Sequence, residues 1–145
     1  ELRKRFLNEA HPNVVRSEDS DNHIFSRNIN SELTYQSLFD FRPNLIIISG
    51  TKKVEKRVLE LADYAVNLHH GFLPTYRGVS SIDWVILESN FNYFVVSLHK
   101  AMEQLDAGPL VASCYVTPFY REPEFLFRRR VYLCGVELIR DFLDN

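Results

Sequence analysis

Asn67 and His69 stand two residues apart at the end of an apolar run, Ala65 to His69. Side chains alternate along a strand, so the amide and the imidazole share one face while Val66 and Leu68 take the other. An amide donor beside an imidazole can stabilise negative charge growing on a carbonyl oxygen and can move a proton. The loop that follows, His70 to Gly78, carries Gly71, Pro74 and Gly78, residue types that permit unusual backbone angles and close approach to a bound molecule. Ser97 and His99 repeat the two-residue spacing on a later apolar run, and Leu105-Asp106-Ala-Gly108-Pro109 adds a carboxylate in a turn. Singly, each has an ordinary explanation: polar residues end strands, and Asp and Gly turn chains. Their weight comes from combination.

The elements that must hold these residues read as α/β. Ser31 can cap a helix over residues 31–41 bearing Leu33, Leu38, Phe39 and Phe41, which Arg42-Pro43 ends. Residues 44–49 are apolar on both faces, as in a strand covered by helices on each side. Val54, Val58, Leu61 and Ala62 mark a second helix, and residues 64–69 a second strand. A right-handed crossover in a parallel sheet is the simplest packing, and its carboxyl edge is where ligands bind in such sheets. Ile82, Val85 and Ile86 mark a further helix, residues 93–99 and 110–116 two more strands, and Phe127, Val131, Cys134, Leu138 and Phe142 a terminal helix. Before residue 31 the pattern is less legible, with strand signals at Val14-Val15 and Ile24-Phe25 around a Ser/Asp/Asn-rich loop.

Composition bounds the function. With 145 residues, 46% hydrophobic and 25% charged, the chain suits one globular domain. A net charge of −2 gives no global reason to expect nucleic acid or an anionic membrane. No apolar run approaches the roughly 20 residues that span a bilayer, and no signal segment opens the chain, so the expectation is a cytoplasmic protein. Cys114 and Cys134 are then expected as reduced thiols. His69-His70 lacks the accompanying ligands of a metal site.

The segment from Asn67 through Leu73-Pro74 to Gly78, followed by Ser97-Leu-His99 and Leu105-Asp106-Ala-Gly108-Pro109, resembles the folate-dependent formyltransferases, which include the glycinamide ribonucleotide, methionyl-tRNA and amino-sugar enzymes. The resemblance runs from about Pro43 to the terminal helix. It implies a Rossmann-like fold, an open and mainly parallel sheet with helices on both faces. It also implies 10-formyltetrahydrofolate as formyl donor and Asn67, His69 and Asp106 as catalytic residues. Lys52, Lys53, Val54 and Leu105 are the candidates for the folate pocket. Arg77, Gly78 and His99 are the candidates for the acceptor, a small-molecule primary amine, with no metal required.

Departures from the family pattern accompany the match. His70-Gly71 stands where many members have Pro-Ser. His70, the Tyr76-Arg77-Gly78 ending and Asp83-Trp84 lean toward a nucleotide-linked amino sugar as acceptor. Family members open with a central strand that the chain from Glu1 does not supply, and residues 1–9 read as the latter part of a helix, so a single catalytic domain truncated at its amino terminus is expected. The absence of a carboxy-terminal RNA-binding domain counts against tRNA. Two other outcomes stay open: hydrolysis of the donor to formate, and a folate-binding domain without turnover. Arg128 to Arg130 read as a solvent face, Cys134 as core, and Trp84 as packing or a base-stacking ring.

Overall fold

The structure, a computed structural model, describes residues 26–144. The expected helical residues 1–9 and the strand signals at Val14-Val15 and Ile24-Phe25 lie outside the described residues. In chain order the elements are α1 (Glu32–Phe41), β1 (Leu45–Ser49), α2 (Lys56–Leu59), β2 (Tyr64–His69), α3 (Ser81–Leu87), a 3₁₀ turn (Phe91–Tyr93), β3 (Val95–Lys100), β4 (Leu110–Tyr115) and α4 (Glu124–Asp144).

Helix α1 starts where expected, because the Ser31 hydroxyl accepts the Thr34 N–H at 3.2 Å. It stops at Arg42, whose φ of 52° leaves the helical region one residue before Pro43. Its inward face is Thr34, Tyr35 and Leu38, while Leu33, Phe39 and Phe41 face outward. Helix α2 is a single turn that buries Val58 and Leu59.

Among the described residues four strands form one sheet in the order β1-β2-β3-β4. The α/β class holds, with helices on both faces. The sheet is mixed, which corrects the expectation of a mainly parallel one: β1-β2 is parallel, whereas β2-β3 and β3-β4 are antiparallel. Strand β3 starts beside the end of β2, with Ser97 opposite His69.

Two apolar layers cover the sheet. On one face Val66, Leu68, Val96 and Leu98 pack against Ile82 and Val85 of α3 and Phe127 and Val131 of α4. On the other, Ile48 and Ala65 pack with Val54, Val58 and Leu59, backed by Tyr35 and Leu38. Along β2 this second face changes from Ala65 to Asn67 to His69, so it turns polar where the covering helices end. Cys114 of β4 and Cys134 of α4 form a disulfide, correcting the expectation of reduced thiols: residues 20 apart in sequence meet where α4 crosses the edge strand. No helix among the described residues is long and apolar enough to cross a membrane.

Candidate active site

The register places Asn67 opposite His99 and His69 opposite Ser97, so four polar side chains share one patch at the carboxyl end of β2. Asp106 reaches them from the loop after β3. Its φ of 48° lies in the left-handed region, which Asp tolerates better than most residues. Gly108 makes that loop possible: a Cβ there would lie 1.8 Å from the Lys100 carbonyl oxygen, a clash no side-chain motion relieves. The Asp-x-Gly spacing is thus a loop crossing tightly over the end of β3 and aiming a carboxylate back at β2.

Asp106 is the hub. Its Oδ1 accepts from Asn67 Nδ2 at 3.0 Å, its Oδ2 accepts from the Gly78 N–H at 2.8 Å, and Oδ2 faces His69 Nδ1 at 3.6 Å. A carboxylate only accepts, which fixes the amide of Asn67 with its nitrogen toward Asp106. The second amide hydrogen points to His99 Nε2, 3.0 Å away. His99 Nδ1 lies 3.0 Å from the Lys100 carbonyl; a carbonyl cannot donate, so Nδ1 carries the hydrogen and Nε2 receives the Asn67 amide. His99 Nε2 also lies 3.4 Å from Asp106 Oδ1. His69, His99 and Asp106 are 8%, 1% and 6% exposed, a setting in which water screens their mutual interactions weakly.

On its other edge the His69 ring is clasped. Nε2 donates to the Tyr76 carbonyl at 2.6 Å, with the Ser81 hydroxyl at 3.3 Å. A Cβ on Gly71 would lie 2.5 Å from that nitrogen, so only glycine lets the loop close over the ring. The Ser97 hydroxyl holds the same loop through the Gly71 carbonyl at 2.7 Å. The Leu73-Pro74 peptide bond is cis.

This cluster opens into a cleft of about 580 Å³. On one side stand Thr51, Lys52, Lys53 and Val54 from the β1–α2 loop and Ala101, Met102 and Leu105 from the loop before Asp106. Lys53 and Glu103 pair between these two loops at 3.6 Å. On the other side stand Ser80, Asp83, His70, Arg128 and Tyr132, with Arg128 paired to Asp83 and Glu124. The expected folate-pocket residues Lys52, Lys53, Val54 and Leu105 therefore share one cleft with Asn67, His69 and Asp106.

The expected acceptor residues separate. Gly78 lines the cleft, its N–H bound to Asp106. His99 also lines the cleft, with both ring nitrogens engaged. Arg77 is exposed and outside the cleft lining. Arg128, expected on a solvent face, lines the cleft. The contribution of Tyr76 was invisible to spacing because it acts through a main-chain carbonyl. Among the described residues there is no cluster of three or more His, Cys, Asp or Glu able to hold a metal.

The α/β sheet thus brings Asn67, His69 and Asp106 together at the carboxyl end of a strand, in the lining of one cleft. Residues 3–129 match the formyl transferase family, and the chain belongs to it. It is 33% identical over 144 residues to the methionyl-tRNA formyltransferase of Helicobacter pylori, covering 98% of this chain and 44% of that protein. It is 33% identical over 109 residues to the GDP-perosamine N-formyltransferase of Brucella melitensis, covering 70% and 40%. Among solved structures, phosphoribosylglycinamide formyltransferase from Streptococcus pneumoniae superposes with a TM-score of 0.68 at 18% identity, covering 77% of this chain and 63% of that one. A sugar N-formyltransferase from a Shewanella species gives 0.66 at 19%, covering 80% and 46%. The chain spans about two-fifths of the length of the curated relatives it matches.

Proposed function

We propose that this chain carries the donor-binding and catalytic part of a 10-formyltetrahydrofolate-dependent formyltransferase that formylates a small-molecule primary amine in the cytoplasm. The observation that carries the reading is Asp106, held between Asn67 and His69 at the head of the cleft. The donor fits the β1–α2 side: Val54, Leu105, Met102 and Ala101 give apolar walls for a flat ring system, and Lys52 and Lys53 supply cations at the rim for an anionic tail. When bound, the donor supplies the formyl group and the leaving nitrogen.

The residues then have distinct tasks. Asn67 Nδ2 exchanges one of its present bonds for the formyl oxygen and stabilises the charge that grows there. With His69 Nε2–H committed to Tyr76, Nδ1 is the nitrogen left to face Asp106. A proton on Nδ1 makes an imidazolium paired with the carboxylate, a second source of positive charge for the same oxygen. Asp106 relays the proton lost by the attacking amine toward the departing nitrogen. His99 holds Asn67 from within the cleft lining.

A nucleotide-linked amino sugar is the acceptor class we favour, supported by the similarity to a GDP-perosamine N-formyltransferase; the similarity to methionyl-tRNA formyltransferases is comparable, which makes tRNA the competing acceptor. The test is formyl transfer from 10-formyltetrahydrofolate to amino-sugar nucleotides by the full chain. Asp106→Asn and His69→Ala are expected to lower kcat by about 10²-fold or more with circular dichroism unchanged. Near wild-type turnover by either variant would sink the assignment. Formate release without an amine would point to hydrolysis, and tight donor binding without turnover to a folate-binding domain.

A further inference from the structure

We propose that Tyr76 is a positioning residue for His69: its carbonyl locks the ring in the Nε2–H form, and its phenol, clamped by Glu88 and Asn90, holds that carbonyl in place. The inference rests on the assignment of His69 above.

The geometry runs in one line from the surface to the ring. Tyr76 Oη donates to Glu88 Oε2 at 2.5 Å and accepts from Asn90 Nδ2 at 2.8 Å. Donation to the Glu88 carboxylate pushes the phenol's titration upward, which keeps the clamp protonated. The Tyr76 carbonyl then takes the His69 Nε2–H at 2.6 Å and the Ser81 hydroxyl at 3.3 Å. The loop cannot slide, because its next polar contact is the Gly78 N–H on Asp106 Oδ2. One short segment therefore fixes both His69 and Asp106, and it is tied to the far end of α3 by a side chain that is otherwise buried.

The lock has a chemical consequence. A neutral imidazole has one N–H, and either ring nitrogen can carry it. Placing it on Nε2 leaves Nδ1 as the only nitrogen that can exchange a proton with Asp106. A ring free to adopt the Nδ1–H form would present its lone pair to a carbonyl, with no proton to accept there. Releasing the clamp should thus lower the fraction of competent His69 without changing donor binding.

The experiment is ¹⁵N NMR of the histidine ring nitrogens in the full chain, with pH profiles of kcat alongside. In wild type His69 is expected as the Nε2–H tautomer. Tyr76→Phe and Glu88→Ala should shift its ring signals toward a mixture of tautomers, lower kcat about tenfold and leave the donor KM within about twofold. Glu88→Gln retains an oxygen acceptor for the phenol and should restore most of the loss. Glu88 is exposed, so its variants serve if Tyr76→Phe fails to fold. Unchanged His69 signals and an unchanged pH profile in Glu88→Ala would overturn the proposal. The ring signals are read without substrate, so a wild-type protein that shows the lock but transfers no formyl group would instead defeat the functional reading.

Discussion

His70 follows His69 yet lies on the other side of the sheet, edge-on to Tyr132 of α4 with ring centroids 4.6 Å apart. Its Nε2 is buried without a hydrogen-bond partner. Burial first, and the neighbouring His69 second, lower its pKa from the ordinary 6.5. The sign follows from proton counting: as pH falls below about 6.5 the unfolded chain takes up a proton at this residue that the folded chain resists, so stability falls with pH there. Thermal unfolding is expected to show a midpoint that declines from pH 7 toward pH 5.5. His70→Phe, which keeps a ring against Tyr132, should flatten that decline; an equally steep decline would show that other groups cause it. Residues of this kind are read unevenly from sequence. Strand alternation put Asn67 and His69 on one face, whereas Asp106, in a loop, was joined to them only by the family resemblance. Tyr76 was not legible, since its role depends on a carbonyl and on a phenol contact 12 residues away.

At the scale of elements, α4 was the most legible. Phe127 and Val131 lie on its predicted apolar face and are buried, and Gly135 lets the helix approach Leu68, to which a Cβ would come within 2.8 Å. Phe127 also meets Phe94 edge-on at 4.5 Å, which ties α4 to the start of β3. Phe127→Ala is therefore expected to cost about 3–5 kcal/mol in urea unfolding. A loss under about 1 kcal/mol would mean that the helix docks through other residues. Strand direction was less legible, because an apolar run of five or six residues reads alike in parallel and antiparallel pairing. In α1 several apolar residues compete for one face, and the winning stripe pairs Tyr35 and Leu38 with a polar residue, Thr34.

At the scale of the whole molecule, the two sides of the cleft come from different stretches of chain. The β1–α2 loop and the loop before Asp106 make one wall, and α3 with α4 makes the other, with β2 and β3 presenting the polar cluster between them. Donor binding can therefore be tested apart from transfer. A ligand that binds only the folded state stabilises it by RT ln(1 + [L]/Kd), about 2.7 kcal/mol at a hundredfold excess over Kd. For a chain of this length that corresponds to a rise of roughly 5–11 °C in the unfolding midpoint. A stable analogue of 10-formyltetrahydrofolate should produce such a rise in the full chain. Leu105→Asp, which puts a charge on an exposed position of the cleft wall, should abolish most of it, and Val54→Ala should reduce it. Asp106→Asn should leave more of it than Leu105→Asp does, because Asp106 contacts the reacting end of the site. If the analogue raises the wild-type midpoint and Leu105→Asp responds equally, the donor lies elsewhere, and the assignment of the β1–α2 wall fails independently of the assignment of Asn67, His69 and Asp106.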